Sequence, residues 1–182
     1  MKYVLILPDG AADEPLGELD GRTPLEAART PNMDWVAIHG RQGTVVTVPR
    51  DFEPGSDVAT LSVLGYDPAR FYTGRAPIEA VARKIHFGPN DLVFRCNLVT
   101  IVDGRMEDYS AGQISSEEAR QLMAELDRRL GSDSVKFHAG VSYRNLVVFR
   151  SPKRLEPHCT PPHQFPGQTI KTYLPRGPGS KV

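Results

Sequence analysis

The chain has 182 residues, with 22 Lys and Arg balanced by 22 Asp and Glu, so its formal net charge is zero. That length admits one medium domain or two small ones, and the composition is that of an ordinary soluble globular protein. A neutral balance gives no electrostatic support for nucleic acid or an anionic membrane as partner, although a local Arg cluster can still grip a phosphate. No apolar run approaches the ~20 residues that cross a bilayer. Met1 to Leu7 is too short for a signal peptide before Pro8-Asp9-Gly10 intervenes, so the expected compartment is the cytoplasm. Cys96 and Cys159 lie far apart and form neither a metal motif nor a disulfide framework.

In chain order, Lys2 to Leu7 is a short aliphatic run without polar alternation, which predicts a buried strand. Thr23-Pro24 and Thr30-Pro31 each have the form of a helix start, Thr as N-cap and Pro at the first helical position. The second start predicts a helix through Met33, Trp35, Val36 and Ile38, ending near Gly40. The β-branched run within Gly43 to Val48 predicts a second strand. After the polar turn from Pro49 to Gly55, Ser56 opens a helix that Gly65 stops. Strand, helix, strand, helix predicts an α/β domain with a parallel sheet over residues 1–75.

The pattern changes after Tyr66-Asp67-Pro68. A short helix is expected over Pro77 to Arg83, then a strand from Leu92 to Thr100 with Val93, Arg95 and Asn97 on one face. Arg105 to Tyr109 is placed to pair with it across Asp103-Gly104. Ser115 or Ser116 caps an amphipathic helix through Leu130, with Ala119, Leu122, Met123, Leu126 and Leu130 at three- and four-residue spacing. Ser134 to His138 and Tyr143 to Arg150 predict two more strands. Together these make a small α+β domain over 76–150. Residues 151–182 form a Pro-rich tail, expected as a loop rather than a core element.

Several residues stand where chemistry is done. Asp9 follows the first predicted strand, at the kind of strand end where open α/β sheets build sites. Its carboxylate suits a divalent ion, or else caps a turn. Ser56 sits at a helix N-terminus, where free amides and the helix dipole favour negative charge. That hydroxyl is either an N-cap or a nucleophile. Asp57 is an ordinary first-turn acid. Arg75, Arg95, Asn97, Arg144 and His163 form a cationic and polar set over the second domain. Arg is suited to a bidentate grip on phosphate or carboxylate. The alternative for Arg95 and Asn97 is a solvated strand face.

Read as an ordered set, these segments resemble one family. Leu7-Pro8-Asp9-Gly10 is similar to its opening metal motif. Arg22-Thr23-Pro24-Leu25-Glu26-Ala27-Ala28 and Thr30-Pro31-Asn32-Met33-Asp34 follow as its next elements. Pro54-Gly55-Ser56-Asp57-Val58-Ala59, with Leu64-Gly65-Tyr66-Asp67-Pro68, resembles its nucleophile segment. Tyr72-Thr73-Gly74-Arg75-Ala76-Pro77, Gly140-Val141-Ser142-Tyr143-Arg144 and Pro161-Pro162-His163 carry the likeness onward. The family is the archaeal-type, cofactor-independent phosphoglycerate mutase of the alkaline-phosphatase superfamily.

The resemblance implies an alkaline-phosphatase-like α/β domain interrupted by a smaller α+β lid. It implies interconversion of 3-phosphoglycerate and 2-phosphoglycerate with two divalent ions, manganese, zinc or cobalt. On this resemblance Asp9 is a metal ligand, and Ser56 is both ligand and nucleophile, carrying the group as phosphoserine. Arg75, Arg95, Asn97, Arg144 and His163 are the candidates for holding phosphate and carboxylate. The family's remaining metal ligands lie in a later part of the polypeptide. The expectation is therefore that this chain alone neither holds both ions nor turns over substrate, and that it self-associates to cover exposed sheet edge. Two other readings are a homoserine-kinase-like phosphotransferase with the same motifs and a non-catalytic binding or interaction module.

Overall fold

A sheet forms where each strand finds a neighbour to complete its hydrogen bonds, and this chain meets that condition only after residue 91. The computed structural model describes residues 1–153, 155–178 and 180. It divides into two units, Met1–Tyr72 and Thr73–Val182.

In the second unit, β1 (Leu92–Asn97), β4 (Val135–Val141) and β5 (Arg144–Phe149) form an antiparallel sheet in the order β1-β5-β4. The register sets Val93 opposite Val148, Arg95 opposite Leu146 and Asn97 opposite Arg144. A smaller ribbon joins β2 (Thr100–Val102) to β3 (Arg105–Asp108). Its turn, Asp103-Gly104, has positive φ at both residues, the geometry that a two-residue hairpin of matching twist requires. The strand expected from Leu92 to Thr100 is thus two strands, broken after Asn97.

Helix α5 (Arg75–Ala82) sets Ala76 and Ala80 against Val93, Leu146 and Val148, with Ile85 and Phe87 packed around them. It starts two residues before the expected Pro77, because Gly74 at φ 108° supplies the N-cap. Helix α6 (Ser116–Leu130) packs on β4. Its first turn is closed by a capping box in which Ser115 Oγ accepts from Glu118 N, and the Glu118 side chain accepts from Ser115 N. Acids in the first turn and Arg128 and Arg129 in the last complement the helix dipole. Ala119 and Met123 are its buried positions. Four consecutive residues of β5, Asn145 to Val148, are buried. Alternation along a strand turns Leu146 and Val148 toward α5 and the other two to the opposite face.

The Pro-rich tail is tied to the ribbon. Gly167 N donates to Met106 O at 2.7 Å, Met106 N to Gln168 O at 3.0 Å and Ile170 N to Gly104 O at 3.0 Å. Phe165 is buried and stacks on Tyr173 at 4.2 Å.

The first unit holds α1 (Pro24–Ala27), α2 (Pro31–His39), α3 (Ser56–Val63) and α4 (Pro68–Phe71). The expected Thr-Pro starts are present: Thr23 closes a capping box with Glu26, and Thr30 precedes Pro31. The two predicted strands are not. Lys2 to Leu7 and Gly43 to Val48 have extended or irregular backbone without ladder partners, so the expected parallel sheet does not form among the described residues. Their aliphatic side chains stand in solvent, Val4 84% and Val46 87% exposed. β-branched composition favours a strand only when neighbours supply the pairing and the packing.

Two substitutions test the packing of the second unit. Leu146→Ala, at a fully buried central position, should cost about 2–5 kcal/mol. Ser115→Ala, losing the capping box, should cost about 1 kcal/mol. Urea unfolding followed by circular dichroism reads both.

Candidate functional site

Ser56 is the first residue of α3, and the N-cap is Gly55. Its hydroxyl is therefore not the helix cap, and the residue is exposed. The first-turn amides beside it have no intrahelical acceptor, and the dipole end is positive there. The C-terminus of α3 is closed by a Schellman motif: Tyr66 N donates to Leu61 O at 2.9 Å and Gly65 N to Ser62 O at 3.0 Å, with Gly65 at φ 85°. That motif turns the chain into α4, whose N-cap Asp67 accepts from Ala69 N. Tyr72, just past α4, donates its hydroxyl to the Asp57 carboxylate, and its ring meets Phe52 edge-on at 6.1 Å. The residue next to Ser56 is therefore clamped by an aromatic partner fifteen positions away, a contact that the expectation of a first-turn acid did not include.

Asp9 lies in the same unit, in an exposed turn where its amide donates to Leu7 O at 2.9 Å and Gly10 takes φ 73°. Two divalent ions call for roughly six or more protein ligands, each ion taking about four or more in all. Among the described residues no group of three or more His, Cys, Asp or Glu is gathered to hold a metal. Asp9 and Ser56 offer two ligating side chains, so the donor set gathered among the described residues does not fit a pair of ions.

In the second unit the structure pairs Asn97 with Arg144 across β1 and β5, and a relay of ring contacts links Arg144 to His163. Asn97 and Arg144 are register partners at one end of the sheet. The Arg144 guanidinium lies over the Tyr143 ring at 5.2 Å, Tyr143 meets Tyr109 edge-on at 6.1 Å, and Tyr109 meets His163 at 6.3 Å. His163 stands on a short 3-10 turn, Pro162–Gln164. Asn97 Oδ1 is buried and has no hydrogen-bond partner. An unpaired buried acceptor is costly, and such a group is satisfied when a donor arrives. Arg95 is on the same strand face two residues away, with its Nε 3.1 Å from Glu79 Oε2 of α5. It enters any site already partly neutralised. Arg75 opens α5.

The turn that presents Arg144 is braced from several sides. Asn145, fully buried, accepts from Gly140 N at 2.8 Å and donates to Tyr143 O at 3.2 Å. Ser142, at φ 53°, donates its hydroxyl to Ile114 O at 2.6 Å, and its amide donates to Ser116 Oγ at 3.0 Å. Gly140 is required because a Cβ there would run into the Arg144 carbonyl. Glu79, Tyr109 and Asn145 were not singled out in the sequence. Of these only Asn145 had a local signal, a polar residue inside an otherwise aliphatic strand.

Burial lifts the Cys96 thiol above its ordinary range, which keeps it protonated and unreactive. Hydrogen bonds from Ser110 and Gly112 hold the Asp108 carboxyl below the usual carboxylate value and fix the loop after β3.

Residues 37–182 match the family described as 2,3-bisphosphoglycerate-independent phosphoglycerate mutase. A curated protein of that name from Methanosarcina barkeri is 50% identical over 97% of this chain, which is 44% of its own length. One from Methanothrix thermoacetophila is 50% identical over the whole chain, 45% of its length. The chain thus spans a little under half of the curated relatives it matches. A solved structure from Pyrococcus horikoshii is 31% identical and superposes with a TM-score of 0.63, covering 78% of this chain and 35% of the other.

The environment of His138 gives a pH test. Desolvation, then repulsion by Arg83, with a smaller push from Lys136 against an opposing pull from Asp127, lowers its pKa below the ordinary imidazole value. The folded state then binds fewer protons than the unfolded state. Stability is complete above about pH 6.5, the unfolded value, and falls as the pH drops through the folded one. The urea midpoint should be lower at pH 5.5 than at pH 7.5, and His138→Gln should shrink that difference.

Proposed function

The chain belongs to the 2,3-bisphosphoglycerate-independent phosphoglycerate mutase family, and we propose that it forms the nucleophile-bearing part of such an enzyme, interconverting 3-phosphoglycerate and 2-phosphoglycerate. One observation carries the assignment of the nucleophile. Within the family segment around Pro54-Gly55-Ser56-Asp57, the Ser56 hydroxyl stands at a helix N-terminus and is not its cap. In the proposed first step, Ser56 Oγ attacks phosphorus, the bond from phosphorus to the C3 oxygen breaks, and the serine proton passes to that oxygen. Phosphoserine and free glycerate result. In the second step the C2 hydroxyl oxygen attacks phosphorus, the bond from phosphorus to Ser56 Oγ breaks, and the hydroxyl proton passes to Ser56 Oγ. Free amides at the start of α3 would stabilise charge developing on the phosphoryl oxygens.

Glycerate has to be held while it turns over. Arg144 and Asn97, register partners at one end of the sheet, and His163, linked to Arg144 through Tyr109 and Tyr143, suit a carboxylate or phosphate, with Arg75 and Arg95 as further cations. The buried Asn97 Oδ1 would accept a hydrogen bond from a glycerate hydroxyl. Asp9 and Ser56 are proposed as ligands to the divalent ions of the complete enzyme, manganese, zinc or cobalt, with the remaining ligands supplied from outside this chain.

The partner is a small acidic metabolite and not nucleic acid, consistent with the zero net charge. None of the described helices is long and apolar enough to cross a membrane. We place the activity in the cytoplasm and infer that copies associate through the exposed aliphatic segments of the first unit.

A chimaera tests the assignment: this chain joined to the remainder of the Methanosarcina barkeri relative. Folded and loaded with manganese, it should interconvert the two phosphoglycerates, and Ser56→Ala should cut the rate by at least about a thousandfold, the scale for removing a covalent nucleophile. Homoserine with ATP should not be turned over. A folded chimaera without mutase activity, or a Ser56→Ala variant that keeps it, would contradict the assignment.

A further inference from the structure

At the end of the sheet away from Arg144, a groove of about 330 Å³ is lined by Lys84, Ile85, His86, Lys136, His138, Val148 and Arg150. Five of these seven side chains are basic and none is acidic. Lys84, Lys136 and Arg150 form no ion pair among the described residues. Other cations of this unit do have acids, Arg83 and Arg95 with Glu79 and Arg128 and Arg129 with Glu125, whereas Arg105, Arg144, Lys171 and Arg176, like the three in the groove, form no ion pair among the described residues. Arg150 lies six positions after Arg144, just past the end of β5, which at ~3.3 Å per residue is roughly 20 Å. The groove is therefore not an extension of the Asn97–Arg144 cluster.

Backbone geometry at Lys84 is a second, independent feature. Helix α5 ends in a Schellman motif: Ile85 N donates to Ala80 O at 2.9 Å and Lys84 N to Val81 O at 3.0 Å. The residue between Arg83 and Ile85 must be left-handed, and glycine is the favoured occupant. Here it is Lys84, at φ 58°. The equivalent position after α3 is Gly65. A side chain is kept at a conformational cost, and it lines the groove. Mutual repulsion is also felt inside: Arg83 and Lys136 both disfavour a charge on His138.

We propose that this groove binds a small polyanion with two adjacent phosphate groups, of the inorganic pyrophosphate class. Two phosphate units of about −1.5 each near neutral pH bring roughly three negative charges, which match the three full charges of Lys84, Lys136 and Arg150. The groove is several times the ~30 Å³ share of one water, which leaves room for both units. The two imidazoles supply further donors and border the ligand.

Binding is read from the imidazole C–H resonances of His86 and His138 as the 182-residue chain is titrated with inorganic pyrophosphate at constant ionic strength. Saturable shifts are expected for these two rings, with His158 and His163 unmoved and orthophosphate at least about tenfold weaker. Lys136→Gln and Arg150→Gln should each weaken pyrophosphate binding about tenfold, one charge-assisted hydrogen bond each. Lys84→Gly is the variant that cannot fail by misfolding. It should raise the urea midpoint, because glycine relieves the left-handed backbone, while also weakening binding about tenfold. Absent or non-saturable shifts would overturn the proposal. So would shifts reproduced by matched potassium chloride, or affinity unchanged in Lys84→Gly. Orthophosphate binding as tightly as pyrophosphate would overturn the assignment to a two-phosphate ligand.

Discussion

Backbone pairing is the constraint from which the rest follows. A peptide group taken out of water must find a partner, and a strand acquires its partners only from neighbouring strands. In the second unit β5 has them on both sides. Its central position allows Leu146 and Val148 to pack on α5 while Asn145 anchors the turn that precedes Arg144. In the first unit Lys2 to Leu7 and Gly43 to Val48 have the composition of strands but no neighbours. The same rule that builds one sheet leaves the other unbuilt.

The contrast bears on the site. Ser56 needs only local structure to be positioned: a glycine N-cap, a Schellman stop at Gly65 and the Asp57–Tyr72 clamp. Asn97, Arg144 and His163 need the finished antiparallel sheet and a tail fastened to β3. A pair of metal ions would need more donors than the described residues gather. The proposed nucleophile and the proposed substrate cluster are thus both on this chain, and donors for a metal pair are not gathered among the described residues. The match to a little under half of each curated relative accords with that division.

Features governed by nearest neighbours were legible in the sequence. The Thr-Pro helix starts, the cap at Ser115 or Ser116, the Asp103-Gly104 turn and the strands on either side of residues 142–143 all rest on short-range chemistry. Features needing distant partners were not. The aliphatic runs read as strands because composition reports what a segment would do in a sheet, not whether the sheet is there. The Glu79–Arg95 pair spans sixteen positions, and the aromatic chain from His163 through Tyr109 and Tyr143 to Arg144 spans three separate segments. Neither leaves a local pattern. Of the two roles the sequence left open for Ser56, the structure gives the cap position to Gly55, and the nucleophile role stands as the proposal.

The most direct test of the central claim is the site of phosphorylation during turnover. The chimaera with the Methanosarcina barkeri remainder is mixed with 3-phosphoglycerate, quenched in acid and mapped by peptide mass spectrometry. One phosphoryl group on Ser56, absent without substrate, is the predicted result. Turnover with no phosphorylated peptide, or with the group on a different residue, would contradict it.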